Sequence, residues 1–213
     1  METDDLINDL ARNAKPVPAR AADGLMLAGV AGGGVVSVIF VLTALGARPD
    51  FGAALLSFSF WMKGVYVAAI AVGAVMVCRH LACPELRPSR WYWLLLAPPA
   101  VLSVVALGEL VAAPKGEVHS LIFGGSALQC PQTIFLVSLP IFAGCVLAMR
   151  RLAPTRLRAA GAAAGLAAGA IGALLYALHC TEFAAPFVLI WYSLGVIAAA
   201  ALGALLGPVL LRW

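Results

Sequence analysis

The sequence predicts an all-α fold: a polytopic membrane bundle of six transmembrane helices, with both termini cytoplasmic. Three observations carry this. Of 213 residues, 63% are hydrophobic and only 11% charged, and a soluble domain of this size carries roughly twice that charge. Mean hydropathy is +0.99, and the apolar residues fall into six long runs, each close to the about 20 residues needed to cross the hydrocarbon core. The basic residues lie between those runs rather than in a stripe interleaved with aromatics, so the net charge of +4 speaks for membrane topology and against nucleic acid.

The chain divides into a cytoplasmic tail, residues 1–23, and a transmembrane domain, residues 24–213. The tail lacks the basic and short apolar regions of a cleavable signal. Thr3 can N-cap a short helix, with Asp4 and Asp5 in its first turn, where carboxylates meet the positive end of the helix dipole. Leu6, Ile7, Leu10 and Ala14 fall near one face, and Pro16 and Pro18 end the pattern. A helix of about three turns is marginal alone in water, so its apolar face calls for a partner surface.

The first span covers 24–47 without a charge. The second covers 60–78, with Lys63 near its start, where it is expected to snorkel to the headgroups beside Trp61 and Tyr66. The third, 91–113, opens on the aromatic-belt triplet Trp91-Tyr92-Trp93. The remaining spans are 132–149, 159–178 and 183–211. With the tail inside, the inner side holds Arg12, Lys15, Arg20, Arg79, Arg87, Arg90, Arg150, Arg151, Arg156, Arg158 and Arg212. The outer side holds Arg48, Lys63 and Lys115, an asymmetry of 11 to 3 that sets the orientation. Gly29 and Gly33, Gly161, Gly165 and Gly169, and Gly203 and Gly207 repeat at the four-residue spacing that lets helices approach closely. Pro98, Pro99 and Pro140 are candidate kinks.

Ionisable groups within spans mark transport paths. Glu109 alone stands near the outer end of a span, so no proton relay crosses the bilayer. No Ser-His-Asp order, zinc-protease motif or phosphate loop is present, which argues against an enzyme or a constitutive cofactor. The remaining polar chemistry lies on the outer face: Glu109, Glu117, His119 and Cys130 from the third span and its loop, and His179, Cys180 and Glu182 from the turn between the last two spans. Two thiols on an oxidising face are a candidate disulfide or redox pair. With His119, His179, Glu182 and Glu109 as auxiliary groups, they are also a candidate site for a soft or borderline divalent metal. The same residues read equally well as small, half-buried groups at helix ends. Cys145 reads as packing within a helix, and Cys78 and Cys83 as free cytoplasmic thiols.

The opening METDDLINDLA, the six spans with both ends inside, and single cysteines in LQCP and LHCTE resemble the NrsF-like bacterial integral-membrane anti-sigma factors over nearly the whole chain. The resemblance implies a protein of the bacterial inner membrane that sequesters an ECF-type sigma factor and releases it under heavy-metal or oxidative stress. It also implies sensing by a pair of outward-facing cysteines, here Cys130 and Cys180, with a transient heavy-metal ion as the only metal expected. The zinc-containing soluble domain of other anti-sigma factors is absent. An amphipathic tail helix can dock in a groove of the sigma factor through Asp4, Asp5, Leu6, Ile7 and Leu10. The alternative is a small membrane transporter or structural membrane subunit whose cysteines are incidental. Direct pairing requires the two cysteines to meet in the fold, with Cα atoms within about 7 Å for a disulfide.

Overall fold

A computed structural model describes residues 3, 19–46, 48–82, 90–114, 116–152 and 154–212, with backbone alone at 19–21 and 90. The proposed tail contacts Asp4, Asp5, Leu6, Ile7 and Leu10 lie outside the described residues, as do Cys83 and Lys115. Helix α1 (Ala19–Phe40) runs on through a π-helical turn at Val41–Leu45. A short α2 (Phe51–Ala54) precedes α3 (Phe58–Ala82), and α4 (Trp93–Ala112) follows. Then come the short α5 (Val118–Phe123), α6 (Gln129–Met149) and α7 (Leu157–Tyr176). A single turn, α8 (Ala185–Phe187), passes through a π-helical turn at Val188–Tyr192 into α9 (Ser193–Leu210).

Six of these helical runs are long and apolar enough to cross a membrane: Ala22–Leu45, Phe58–Ala82, Trp93–Ala112, Gln129–Met149, Leu157–Tyr176 and Ala185–Leu210. They coincide with the six runs expected from the sequence. Side chains such as Leu27, Val104, Val111, Leu205 and Val209 are largely exposed on the outside of the bundle, as a lipid-facing surface requires.

Helix α7 is the axis of the bundle. It packs against α3, α6 and most extensively α9, while α1 lies on α6, and α4 packs chiefly on α3. The sequence makes this axis thin: α7 is mostly Ala and Gly, and twelve of its residues are buried. At two crossings the backbones leave no room for a side chain. A Cβ on Gly161 would strike the carbonyl of Gly203, and one on Gly29 the carbonyl of Gly144. Without a hydrophobic driving force in lipid, such close packing is what holds helices together. Interhelical hydrogen bonds add to it: Ser37 Oγ donates to Val137 O at 2.7 Å between α1 and α6, and Tyr66 and Ser193 hydroxyls meet at 2.6 Å between α3 and α9.

Two details differ from the sequence reading. Helix α6 opens at Gln129 rather than 132, because the backbone N–H groups of Gln129 and Cys130 both donate to Ser126 O. Pro131 sits in that first turn, where its missing N–H costs nothing. Cys130 therefore stands inside a helix rather than in the loop before it. Lys63 does not snorkel. Its side chain is fully buried and turns inward, because the interior offers it carbonyl acceptors.

Candidate functional site

The first turn of α6, the end of α7 and the irregular stretch after it converge at one end of the bundle. Cys130 is fixed by the Ser126 carbonyl beneath its N–H, and Cys180 by its own N–H donating to Tyr176 O at 3.0 Å as α7 unwinds. Their sulfurs face each other at 3.8 Å. Both are free thiols and both are buried, Cys180 at 4% exposure and Cys130 at 0%. They lie together at one end of the bundle, and their side chains point into it, not outward to solvent. The physical reason is the helix geometry: the α6 face that carries Cys130 is the face that carries Ile134 and packs on α7 and α9.

Hydroxyls and cations surround the pair. Tyr176 Oη and Ser126 Oγ each lie 3.4 Å from Cys130 Sγ. Tyr192, delivered by the π-helical turn, is fully buried, and its hydroxyl is the one buried side-chain N or O without a hydrogen-bond partner among the described residues. Lys63 Nζ donates to Cys180 O and to Glu182 O, both at 3.0 Å. It also lies over the rings of Phe183 and Tyr192, 5.0 and 5.4 Å from their centroids. Arg48 also lies over the Phe183 ring, 4.6 Å from its centroid. Its backbone N–H donates to Leu178 O, its NH1 reaches Cys180 O at 3.5 Å, and its Nε and NH2 hold both oxygens of Asp50 at 2.8 and 2.6 Å.

These contacts set the charge states outside the spans. The hydrogen bond from Cys130 Sγ holds the Cys180 thiol below the usual thiol range; burial opposes this and the Lys63 ammonium adds to it. The hydrogen bonds from Arg48 hold the Asp50 carboxyl below the usual carboxylate range.

The auxiliary residues expected from the sequence do not converge on the sulfurs. Glu109 Oε2 accepts from the N–H of Ala185 at 2.8 Å. Glu182 Oε1 accepts from the N–H of Gly125 at 2.8 Å. His179 Nδ1 lies 2.9 Å from Gly46 O. His119 stacks on Phe123, with centroids 4.7 Å apart. Glu109, Glu182 and His179 therefore each meet a backbone group and His119 stacks within its own helix, and no group of three or more His, Cys, Asp or Glu among the described residues could hold a metal ion. Sequence reasoning missed Lys63, Arg48, Tyr176 and Tyr192 as neighbours of the pair. The one legible signal was Lys63, a cation within an apolar run.

Known proteins match the chain over nearly its whole length. The family described as NrsF, negative regulator of sigma F, matches residues 10–213. A protein of Azospira oryzae named "Probable anti-sigma-F factor NrsF" is 39% identical over 214 residues, covering 100% of both chains. The "Anti-sigma-F factor NrsF" of Caulobacter vibrioides is 36% identical over 219 residues, again covering 100% of both. No solved structure matches. With its six apolar helices and full-length similarity to both relatives, the chain belongs to the NrsF family of negative regulators of sigma F.

Proposed function

We propose that this chain is a non-enzymatic anti-sigma factor of the bacterial inner membrane, both termini cytoplasmic, that holds an ECF-type sigma factor through its N-terminal tail and releases it when Cys130 and Cys180 are oxidised to a disulfide. The full-length relatives carry the anti-sigma half of this reading. The sensing half rests on one observation: two free thiols from different helices, 3.8 Å apart in a buried site. A disulfide bond of about 2.05 Å needs the sulfurs to close by less than 2 Å from that 3.8 Å separation.

The chemistry balances with a peroxide as oxidant. Cys180, the more acidic thiol, attacks a peroxide oxygen; an S–O bond forms, the O–O bond breaks and one water leaves. Cys130 then attacks the sulfenic sulfur; the S–S bond forms, the S–O bond breaks and a second water leaves. The pair has given up two electrons and two protons. The new bond ties the start of α6 to the end of α7, and both helices pack on the rest of the bundle, so their relative packing must adjust.

A resident metal with three or four ligands does not fit, since the sulfurs gain no third Cys, His, Asp or Glu ligand among the described residues. Lys63 and Arg48 also bring positive charge to the site. A thiophilic ion captured transiently by the two sulfurs is the second arm of the test. The test is expression of sigma-dependent genes with wild-type protein, Cys130→Ser and Cys180→Ser, challenged with hydrogen peroxide or with a cadmium salt. Induction by peroxide should vanish in both variants; undiminished induction by both agents would remove the sensor reading. Co-purification of a sigma factor with the unstressed protein tests the anti-sigma reading separately. Its failure would favour a transporter or structural subunit.

A further inference from the structure

Lys63 is the least expected side chain in the molecule. It lies in the first turns of α3, close to Trp61, where a lysine can reach the headgroups at little cost. Instead it is fully buried. A cation inside a span is costly and marks function by default. Among the described residues the ion pairs are Arg48–Asp50 and Arg79–Asp23, and Lys63 is in direct ion-pair contact with no carboxylate. Its partners are the carbonyls of Cys180 and Glu182, each at 3.0 Å, and the faces of Phe183 and Tyr192.

Those two carbonyls lie in the stretch from Cys180 to Ala184, which has no regular secondary structure. Helix α7 has ended and α8 has not begun: the N–H of Cys180 still reaches Tyr176 O, and the regular helix resumes only at Ala185. One ammonium gripping alternate carbonyls on either side of Thr181 supplies a constraint from a different helix. It also acts at the residue whose sulfur must face Cys130.

We propose that Lys63 is the positioning residue of the cysteine pair: its grip on the Cys180 and Glu182 carbonyls holds the Cys180 sulfur toward Cys130. This rests on the reading of the pair as a dithiol sensor. Lys63 takes no part in the covalent step, in which two thiols and one hydrogen peroxide give one disulfide and two waters. It sets the geometry in which that step occurs.

The experiment uses the full chain in detergent, with Cys78→Ala, Cys83→Ala and Cys145→Ala so that the pair alone reports. Disulfide formation under hydrogen peroxide is followed by loss of maleimide-reactive thiols, and folding by thermal denaturation. Lys63→Met should slow disulfide formation by about tenfold or more, the scale of effect that ångström-level misplacement produces. Lys63→Arg, which keeps the charge and the donors, should restore most of the rate. A correctly folded Lys63→Met protein that oxidises at the wild-type rate overturns the proposal, and so does Lys63→Arg that is as slow as Lys63→Met. Should Lys63→Met not fold, Lys63→Gln carries the test: its uncharged, shorter donor should slow oxidation, and the wild-type rate overturns the proposal. If the Lys63 wild-type pair itself forms no disulfide, the sensor reading has failed, and this inference with it. If the pair oxidises but ignores Lys63, only this inference falls.

Discussion

The hydrogen bond that Cys130 directs at Cys180 makes one thiol of the pair the stronger acid. Because its value is lowered, the reactive thiolate of Cys180 persists at neutral pH and is lost only as the pH falls through that lowered value. The rate at which a small membrane-permeant alkylating reagent labels Cys180, followed by mass spectrometry, should be half-maximal clearly below the usual thiol value of about 8.5. In Cys130→Ala the profile should move to higher pH; an unmoved profile would mean that Cys130 is not the cause. The two cysteines were legible in the sequence as polar positions near the ends of apolar runs, and their placement on the same side of the bundle followed from counting spans. Tyr176, Tyr192 and the inward turn of Lys63 were not. In a soluble protein, an amphipathic pattern shows which side of a helix faces the core. Lipid is as apolar as the bundle interior, so the pattern fades and side-chain direction is left to packing.

Among the elements, the crossing of α7 and α9 is set by glycines that face each other's backbone. Gly203→Ala should destabilise the protein by about 1–3 kcal/mol, the usual cost of overpacking, because its Cβ would strike the Gly161 carbonyl. The opposite sign is expected at Gly32, where an added Cβ would meet nothing within 4 Å: Gly32→Ala should be neutral or stabilise by about 0.5–1 kcal/mol through helix propensity. Thermal denaturation in detergent measures both, and equal effects would show that propensity, not contact, governs these positions. The existence of six spanning helices was legible because the bilayer dictates both length and composition. The small-residue spacing at Gly161, Gly165 and Gly203 was legible too. Its partners were not: Gly29 meets Gly144, which has no glycine four residues away on either side, since a crossing is fixed by the assembled bundle and not by one helix. The start of α6 was displaced by three residues because the Ser126 carbonyl, not the proline, begins the helix.

For the whole molecule, the proposed sensor lies at one end of the bundle and Asp23, at the start of the first span, lies at the other. Deleting residues 1–15 should give constitutive expression of sigma-dependent genes while the protein still accumulates in the membrane; continued repression would remove the tail from the mechanism. Between those ends runs α3. Lys63 grips the Cys180 turn near one end, and Arg79, near the other, binds Asp23 through its Nε at 2.8 Å. Sixteen helical residues separate the two, a rise of about 24 Å at 1.5 Å per residue. The Lys63 attachment is wholly enclosed, whereas the Arg79–Asp23 side chains are 37% and 47% exposed, and such a surface ion pair is worth only about 0–1 kcal/mol. In mechanical terms α3 is a stiff lever, clamped firmly at the Lys63 end and held by a light catch at the Arg79 end. A load applied at the clamp is borne by the rod without bending, and the catch, just where the first membrane helix begins, is the joint that slips first.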